Sequence, residues 1–342
     1  MSEANQLMRI AKLYRYNLPM DSGVIVRDQR LLQREGYIVE LQQSGKTVYG
    51  ECAPLPGFSQ ESLSQVELEL IEALQGWQQS GDWCDYHALS PSVAFALSMA
   101  QCELDGRLPT QGEYRAAPLC SGDPDELIPV FETMAQEGRQ KVAKVKVGLY
   151  EPIRDGMLVN LFLESIPDLQ LRLDANRSWT LEKALKFAQY VSPEYRERIT
   201  FLEEPCKTPE LSRDFAQQTA INIAWDETVQ QADFNDFELS SLLGNHVEAI
   251  VIKPTLIGSV ERCLSLIDFA HQNGLQAVIS SSIESTIGLT QLARLSAWKT
   301  PQQTPGLDTL QLFQSQLEIT WPHSSLPVAT LAEQQLIKQF IG

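Results

Sequence analysis

The sequence has few histidines, no closely spaced cysteines and no long apolar segment. With only four scattered histidines, a histidine-rich transition-metal centre is not expected. No C-x-x-C pair occurs, so we expect free thiols rather than disulfides or a zinc site. No apolar run approaches the roughly 18 residues that span a bilayer, so we expect no membrane partner. The scattered cysteines are Cys52, Cys84, Cys102, Cys120, Cys206 and Cys263.

Basic residues are also scarce. The chain has 27 Lys and Arg against 44 Asp and Glu, which gives a formal net charge of -17 over 342 residues. An acidic surface repels phosphates, so we expect no nucleic-acid partner. The start, MSEANQLMRI, lacks the basic-then-apolar order of a signal peptide, so a cytoplasmic location is expected. A hydrophobic content of 43% is ordinary for a folded globular protein.

Two patterns divide the chain. Up to about residue 112, strand-like pieces such as GYIVELQQ alternate with helix-like ones such as SVAFALSMAQCELDG, which predicts a mixed α+β domain. Beyond it, short β-type runs alternate regularly with amphipathic segments such as LEKALKFAQYVS. Repeated strand–helix units predict parallel strands with right-handed crossovers. The β-type runs lie at Lys144, Arg172, Leu202, Ala224, Val251 and Val278.

Side-chain alternation within these strands favours a barrel over a doubly wound sheet. In LRLDAN, Leu171 and Leu173 share one face, whereas the two charged residues of the strand share the other. Strands of a doubly wound sheet are covered by helices on both faces and are apolar on both. A barrel strand instead has an inner face that opens into an active-site mouth at its carboxyl end.

Charged residues occur at the carboxyl ends of five successive predicted strands. They are Lys144 and Lys146 in KVKVG, then Asp174, Glu203, Asp226 and Lys253. Because the carboxyl ends of barrel strands meet at one mouth, the three acids are expected to converge, and adjacent carboxylates require a cation. Oxygen ligands select a hard ion, Mg²⁺ ahead of Ca²⁺.

Glu204 is the competing acid on the third of these strands. The two-residue period places Glu203 inside and Glu204, beside Pro205, pointing away. Taken singly, each charged residue is explained as well by a solvated lysine or a loop salt bridge. All six charged residues are predicted to lie on the same side of their strands, and this shared side favours a functional site.

These motifs resemble a known family. KVKVG, LDANRSW, FLEEP, AWDET and VIKPT, in this order, resemble the enolase superfamily and its muconate-lactonizing-enzyme branch. In that branch a K-x-K motif and a later lysine flank three metal-binding acids. The stretches GECAPLPGFSQESL, AVISSSIESTIGLTQLARLSAW and TPGLDTLQL extend the likeness, over essentially the whole chain, to the enteric-type o-succinylbenzoate synthases of menaquinone biosynthesis.

The resemblance implies an α/β fold, a modified (β/α)7β TIM-type barrel with an α+β N-terminal capping domain that the C-terminal segment completes. The implied boundaries are 1–112 for the capping domain, 113–318 for the barrel and 319–342 for the C-terminal segment. The cap loops PMDSGV and APLPGFS are expected to close the mouth.

The resemblance also implies roles for the charged residues. Lys146 would be the acid/base, and Lys253 would face it across the substrate. Lys144, a cationic neighbour on the same face, is expected to keep Lys146 in its uncharged form. The metal would be Mg²⁺, with Mn²⁺ as a substitute, and its ligands would be Asp174, Glu203 and Asp226.

The implied reaction is the syn dehydration of 2-succinyl-6-hydroxy-2,4-cyclohexadiene-1-carboxylate to 2-succinylbenzoate. It would proceed by lysine proton abstraction and a metal-stabilised enediolate. The partner would be this small-molecule carboxylate, and the chain a monomer or weak homo-oligomer. Expected substrate contacts are Arg172, Asn176, Ser280, Ser281, Ser282 and Gly306. For Arg172 and Asn176, an ion pair inside the barrel and a helix cap explain the residues equally well, and a serine-rich turn is otherwise only a turn.

The sequence fits two other functions less well. A dipeptide epimerase or N-acylamino acid racemase of the same superfamily would carry a D-x-D on the last barrel strand, whereas here Asp308 is followed by Leu310. A barrel kept only as a binding scaffold predicts loss of an acid or a lysine, and all are present.

Overall fold

The computed structural model describes residues 8–27, 29–120, 124–231 and 238–342. They form two compact units, one within 1–115, 252–267 and 279–342, the other within 116–251 and 268–278. Residues 1–7 lie outside the described residues. They belong to the stretch MSEANQLMRI, for which the sequence predicts no signal peptide. Within the described ranges, no helix is both long and apolar enough to cross a membrane.

The secondary structure alternates as the sequence predicts. The strands are β1 (Arg9–Pro19), β2 (Ile25–Val26), β3 (Gln29–Arg30), β4 (Gln33–Gln43), β5 (Lys46–Cys52), β6 (Leu119–Cys120), β7 (Val142–Lys146), β8 (Gln170–Asp174), β9 (Ile199–Glu203), β10 (Ile223–Trp225), β11 (Val247–Ile252), β12 (Gln276–Ile279), β13 (Gln316–Leu317), β14 (Val328–Ala329) and β15 (Gln335–Ile341). The α-helices are α1 (Leu63–Ser80), α2 (Pro91–Leu104), α3 (Pro124–Gln136), α4 (Pro152–Ser165), α5 (Leu181–Tyr190), α6 (Pro209–Thr219), α7 (Glu227–Gln230), α8 (Pro254–Ile257), α9 (Val260–Gln272) and α10 (Thr286–Lys299). Short 3-10 helices lie at Tyr86–Ala88, Pro193–Arg198, Leu239–Leu242, Leu310–Leu312 and Leu331–Glu333.

The first unit contains a four-stranded sheet in the order β15-β1-β4-β5. β1 pairs antiparallel with β4 and with the C-terminal strand β15, and β4 pairs antiparallel with β5. Helices α1 and α2 pack on this sheet and bury a core that includes Trp77 and Leu41. The first part of the chain is thus a mixture of strands and helices, while the boundaries after residues 112 and 318 stay a prediction.

Local sequence explains where α1 begins and ends. The Ser62 hydroxyl accepts a hydrogen bond from the backbone N–H of Gln65 at 3.2 Å, which satisfies one of the open donors of the first turn. Gly81 ends the helix in the left-handed region, with φ of 85°. Between them, Val66, Leu70 and Trp77 recur at helical spacing and are buried.

The second unit contains the predicted parallel sheet. Its seven strands follow chain order from β6 to β12, and the pairing is parallel from β6 through β11. β7, β8 and β9 end at Lys146, Asp174 and Glu203. Asp226 follows β10 directly, and Lys253 follows β11. The parallel pairing therefore brings Lys146, Asp174 and Glu203 to one edge of the sheet.

In the first unit, the carboxylate of Glu51 on β5 caps the first turn of α10. It accepts hydrogen bonds from the backbone N–H of Ser285 at 2.8 Å and of Gly288 at 2.8 Å. The hydroxyls of Tyr16 and Ser285 each donate to it at 2.6 Å. All four partner groups are donors and Glu51 is buried, so both of its carboxylate oxygens act as acceptors away from water.

Replacement of Glu51 by glutamine should destabilise the protein. The new amide group would face donors where the carboxylate accepted, so we expect the free energy of unfolding to fall by about 3 kcal/mol. Urea unfolding followed by circular dichroism measures this. Glu72→Gln on the exposed face of α1 is the control and should change stability by less than about 0.5 kcal/mol. Equal effects of the two substitutions would contradict the capping role.

Candidate active site

The carboxyl ends of four neighbouring strands lie in register. Lys146 on β7 pairs with Asp174 on β8, Asp174 pairs with Glu203 on β9, and Glu203 pairs with Ala224 on β10. Neighbouring strands are separated by about 4.8 Å, so side chains at these positions on the same face are close. Asp226 lies two residues beyond Ala224 and therefore belongs to the same face.

Lys144 joins two of the acids. Its Nζ lies 2.8 Å from an Oδ of Asp174 and 2.8 Å from an Oε of Glu203. The second Oε of Glu203 also accepts from this ammonium, at 3.0 Å. The carboxylates of Asp174 and Glu203, both almost fully buried, are thus already within reach of a single cation.

The electrostatics of Lys144 follow from these contacts. Burial by itself lowers the pKa of this lysine, but the carboxylates of Asp174, Glu203 and Asp226 act against burial and together outweigh it. The net shift of the pKa is upward, so the ammonium form is stabilised. The sequence predicts Lys144 only as a cationic neighbour of Lys146, and the balancing of its charge by acids from other strands is visible only in the structure.

Asp226 is the most buried of the three predicted metal ligands, with no exposed surface. Its carboxylate accepts a hydrogen bond from the side chain of Gln230, one turn along α7. Across the described ranges, no three His, Cys, Asp or Glu side chains are arranged closely enough to hold one metal ion. The structure thus brings Asp174 and Glu203 together around Lys144, and convergence of the third acid stays a prediction.

The donor set nevertheless fits a hard divalent cation. The three side chains are buried carboxylates on adjacent strand ends, and all three act on the charge of Lys144. Carboxylate oxygens are the ligands that Mg²⁺ prefers, and uncompensated buried carboxylates are costly without a nearby cation. The electrostatic field of this edge therefore favours a positive charge.

The two remaining lysines differ in exposure. Lys146, at the end of β7, is exposed, as expected for a side chain that meets a substrate. Lys253 in the first unit is buried, with 8% of its surface exposed. Its Nζ lies 5.7 Å from the ring centroid of Phe58, a cation–π contact with the predicted cap loop APLPGFS. Phe58 also lies 4.2 Å from the guanidinium carbon of Arg27.

The other predicted cap loop, PMDSGV, is anchored within the first unit. Met20 forms a bridge with Phe313, and the backbone N–H of Asp21 donates to the carbonyl of Leu312 at 2.9 Å. Closure of a mouth by either loop stays a prediction.

Arg172 and Asn176 lie near the acids. Arg172 is buried, its guanidinium 5.5 Å from the ring centroid of Phe201. Burial lowers the pKa of Arg172 to about 10, and the charge of Glu203 opposes this shift. The backbone N–H of Asn176 donates to the Asp174 carboxylate at 3.0 Å, which closes a turn after β8.

The serine-rich turn lies after β12 in the first unit. Ser280 and Ser281 donate through their N–H groups to the carbonyls of Ile252 and Gly306, at 2.9 and 3.0 Å. A Cβ at Gly306 would lie 2.8 Å from the Ser280 hydroxyl oxygen, so a larger residue here would force the Ser280 side chain to shift. In the part of the chain that the structure describes, the buried Ser282 hydroxyl has no hydrogen-bond partner.

The Glu284 carboxylate stabilises this serine-rich turn through hydrogen bonds. It accepts from the Ser281 hydroxyl at 2.7 Å, the backbone N–H of Ser282 at 2.7 Å and the Thr255 hydroxyl at 2.8 Å. Burial, opposed in part by these hydrogen bonds, raises the pKa of the Glu284 carboxyl.

Sequence reasoning missed the contacts of Glu204. It is fully buried, and its carboxylate contacts Arg177, Thr228 and the backbone of Asp226 rather than solvent. The available signal in the sequence was the position of Glu204 between a candidate metal ligand, Glu203, and Pro205. The two-residue period of a strand predicts that Glu204 points away from the inner face, but it does not predict which residues Glu204 contacts.

The pairing of Lys144 with the buried acids predicts a difference between two lysines on one strand. Lys144→Met would leave the carboxylates of Asp174 and Glu203 facing each other, so we expect the free energy of unfolding to fall by about 3 kcal/mol. Lys146→Met, at an exposed position, should change it by less than about 0.5 kcal/mol. Urea unfolding in the presence of EDTA measures both. Equal losses would show that the ion pair does not stabilise the fold.

Comparison with known proteins identifies the family. Residues 8–104 match the family described as MenC, N-terminal domain, and residues 130–328 match Enolase C-terminal domain-like. The o-succinylbenzoate synthase of Vibrio cholerae is 61% identical over 331 residues, which is 96% of this chain and 98% of that protein. Those of Aliivibrio fischeri and Yersinia enterocolitica are 58% and 57% identical over 330 residues, again 96% of this chain and 99% of each protein.

Solved structures show the same fold. The o-succinylbenzoate synthase from Thermosynechococcus elongatus BP-1, complexed with Mg in the active site, is 23% identical with a TM-score of 0.70, covering 90% of this chain and 94% of that one. A dipeptide epimerase from Enterococcus faecalis, complexed with Mg and L-Leu-L-Tyr, is 21% identical with a TM-score of 0.71, covering 90% and 92%. The predicted fold class is confirmed. On the identity of 57–61% over nearly its whole length, the chain belongs to the o-succinylbenzoate synthase family of the enolase superfamily.

Proposed function

We propose that this chain catalyses the Mg²⁺-dependent syn dehydration of 2-succinyl-6-hydroxy-2,4-cyclohexadiene-1-carboxylate to 2-succinylbenzoate, a step of menaquinone biosynthesis. The observation that carries the proposal is the identity of 57–61%, over 96% of the chain, to relatives named o-succinylbenzoate synthase. The charged residues at the ends of adjacent parallel strands supply the chemistry that this reaction needs.

Asp174, Glu203 and Asp226 are the proposed ligands of Mg²⁺, with Mn²⁺ as a substitute. The three carboxylates are buried and lie at the ends of neighbouring strands, which supports this assignment. Two of them, those of Asp174 and Glu203, already bind one cation, the ammonium group of Lys144. A related synthase carries Mg in its active site. When bound, the ion supplies Lewis-acid stabilisation of negative charge on the substrate carboxylate.

Lys146 is the proposed acid/base. It is exposed at the end of β7, next in register to Asp174, where a substrate carboxylate on the ion that the acids bind would come within its reach. The amine takes the proton from the ring carbon bonded to the carboxylate, and the resulting ammonium returns it to the departing hydroxyl on the same face. Water leaves and the ring becomes aromatic, so atoms and charge balance.

The remaining predicted residues bind substrate in this proposal. Lys253 presents its ammonium to the ring π system. Arg172 and Asn176 contact the metal-held carboxylate or the leaving hydroxyl. The serine-rich turn of Ser280, Ser281 and Ser282, with the close approach at Gly306, binds the succinyl carboxylate through hydroxyl donors. The backbone N–H groups of these serines already donate to Ile252, Gly306 and Glu284, whereas the Ser282 hydroxyl makes no hydrogen bond within the described residues and is a donor that the turn still offers.

Location and assembly belong to the same proposal. The chain acts in the cytoplasm on a small-molecule carboxylate, as a monomer or weak homo-oligomer, without a nucleic-acid partner. The net charge of -17 supports the last point.

Replacement of Lys146 tests the acid/base role. Lys146→Ala should lower kcat/KM by about 10²- to 10⁴-fold because no other group takes the ring proton. The loss of diene absorbance measures turnover, and circular dichroism checks the fold. Lys183→Ala, on the exposed face of α5, is the control and should retain full activity. Activity like that of the wild type in Lys146→Ala would remove this lysine from the mechanism.

The metal requirement is tested with EDTA. Dehydration by the wild-type protein should cease on chelation and return with added Mg²⁺ or Mn²⁺, since both ions accept carboxylate oxygens. Turnover that persists in EDTA would reject the metal requirement.

The epimerase alternative is tested separately. An absence of dehydration together with α-deuteration of dipeptides in D₂O would favour it, whereas Leu310, two residues after Asp308, argues against it.

A further inference from the structure

Two loops of the second unit meet behind the acidic strand ends. Asn176 and Arg177, after β8, have φ of 45° and 57°, and Glu204, after β9, has φ of 23°. These are left-handed conformations that residues other than glycine rarely adopt, and they persist only where surrounding contacts enforce them. The backbone N–H of Arg177 donates to the carbonyl of Glu204 at 3.1 Å, which joins the two loops.

The Glu204 carboxylate extends this junction to the third strand end. One oxygen accepts from the backbone N–H groups of Asp226 at 2.9 Å and Thr228 at 2.7 Å. The other accepts from Nε of Arg177 at 2.5 Å and from the Thr228 hydroxyl at 3.0 Å. Glu204 has no exposed surface, so these hydrogen bonds are made away from water, where they are stronger.

Arg177 completes the network. Its guanidinium donates to the Thr228 hydroxyl at 2.8 Å and to the side-chain carbonyl of Gln231 at 2.8 Å. The arginine therefore holds the carboxylate of Glu204 and, through separate donors, both ends of α7. Since Asp226 immediately precedes that helix, its position depends on the same contacts.

We infer that Glu204, acting with Arg177 and Thr228, is a positioning residue for Asp226, and that it sets the affinity of the acidic site for a divalent cation. The inference rests on the proposed function in one respect, the assignment of Asp226 as a ligand. Asp226 lies between the end of β10 and the first residue of α7, and the hydrogen bond from its N–H to Glu204 fixes its backbone there.

The charge of Glu204 is essential to this arrangement. Four donor groups on three residues point at its carboxylate, and glutamine at this position would turn an amide N–H₂ toward them. The turn that carries Asp226 would then lose its support without any direct change to a ligand. Residues that orient metal ligands typically alter metal affinity or activity by about 10- to 100-fold when replaced.

The experiment measures Mn²⁺ binding directly by electron paramagnetic resonance, without substrate. Glu204→Gln should raise the Kd for Mn²⁺ about 10- to 100-fold. The matched control is Glu137→Gln, which removes an arginine-paired glutamate elsewhere in the same unit, 3.2 Å from Arg139, and should leave the Kd unchanged. A Kd for Glu204→Gln equal to that of the wild type would overturn the inference.

A second pair of variants keeps the test open if Glu204→Gln does not fold. Thr228→Val removes the hydroxyl that links Glu204 and Arg177 and should weaken Mn²⁺ binding about 3- to 10-fold, within the lower range for such groups. Thr228→Ser retains the hydroxyl and should bind like the wild type. Equal Kd values for these two variants would also overturn the inference.

Activity separates positioning from a purely structural effect. In Glu204→Gln, dehydration should recover substantially as Mg²⁺ is raised, because the defect lies in metal affinity; a lasting loss of kcat at saturating Mg²⁺ with a normal Kd would contradict this. If the wild-type protein binds Mn²⁺ but does not dehydrate the diene acid, the proposed function fails while the binding comparison still decides the role of Glu204.

Discussion

Parallel pairing of β7, β8, β9 and β10 is the constraint on which the acidic site depends. Charged side chains lie at or directly after the carboxyl end of each strand, and the register places Lys146, Asp174 and Glu203 side by side. Antiparallel pairing would send alternate strand ends to opposite edges and disperse the same residues. Because the strands are parallel, carboxylates that repel one another are held at a single edge, and the fold must provide positive charge there.

Lys144 provides that charge within the chain itself. Its ammonium contacts two carboxylates, and the neighbouring acids outweigh the unfavourable effect of its burial. Buried ion pairs contribute little net stability, but loss of one partner is costly because the other charge stays behind. The same residues therefore constrain folding and create a field that favours a divalent cation.

Buried carboxylates outside the acidic site stabilise turns by accepting hydrogen bonds. Glu51 and Glu284 in the first unit, and Glu204 in the second, each satisfy donors from backbone N–H groups and hydroxyls. Such networks stabilise unusual backbone: Glu204 itself and Ile283, beside Glu284, have positive φ. Rigid turns of this kind hold neighbouring side chains in fixed positions at the strand ends.

The amino-acid sequence by itself determined the parallel strand–helix repeat, the charged strand ends and the family, because two-residue alternation and ordered motifs are local properties of the chain. It also distinguished Glu203 from Glu204, since alternation decides which side of a strand a residue occupies. Tertiary structure alone decided that Lys144 pairs with two acids from other strands and that Glu204 supports the backbone of Asp226. Contacts between residues 22 to 59 positions apart depend on strand register and loop conformation, which no local pattern specifies.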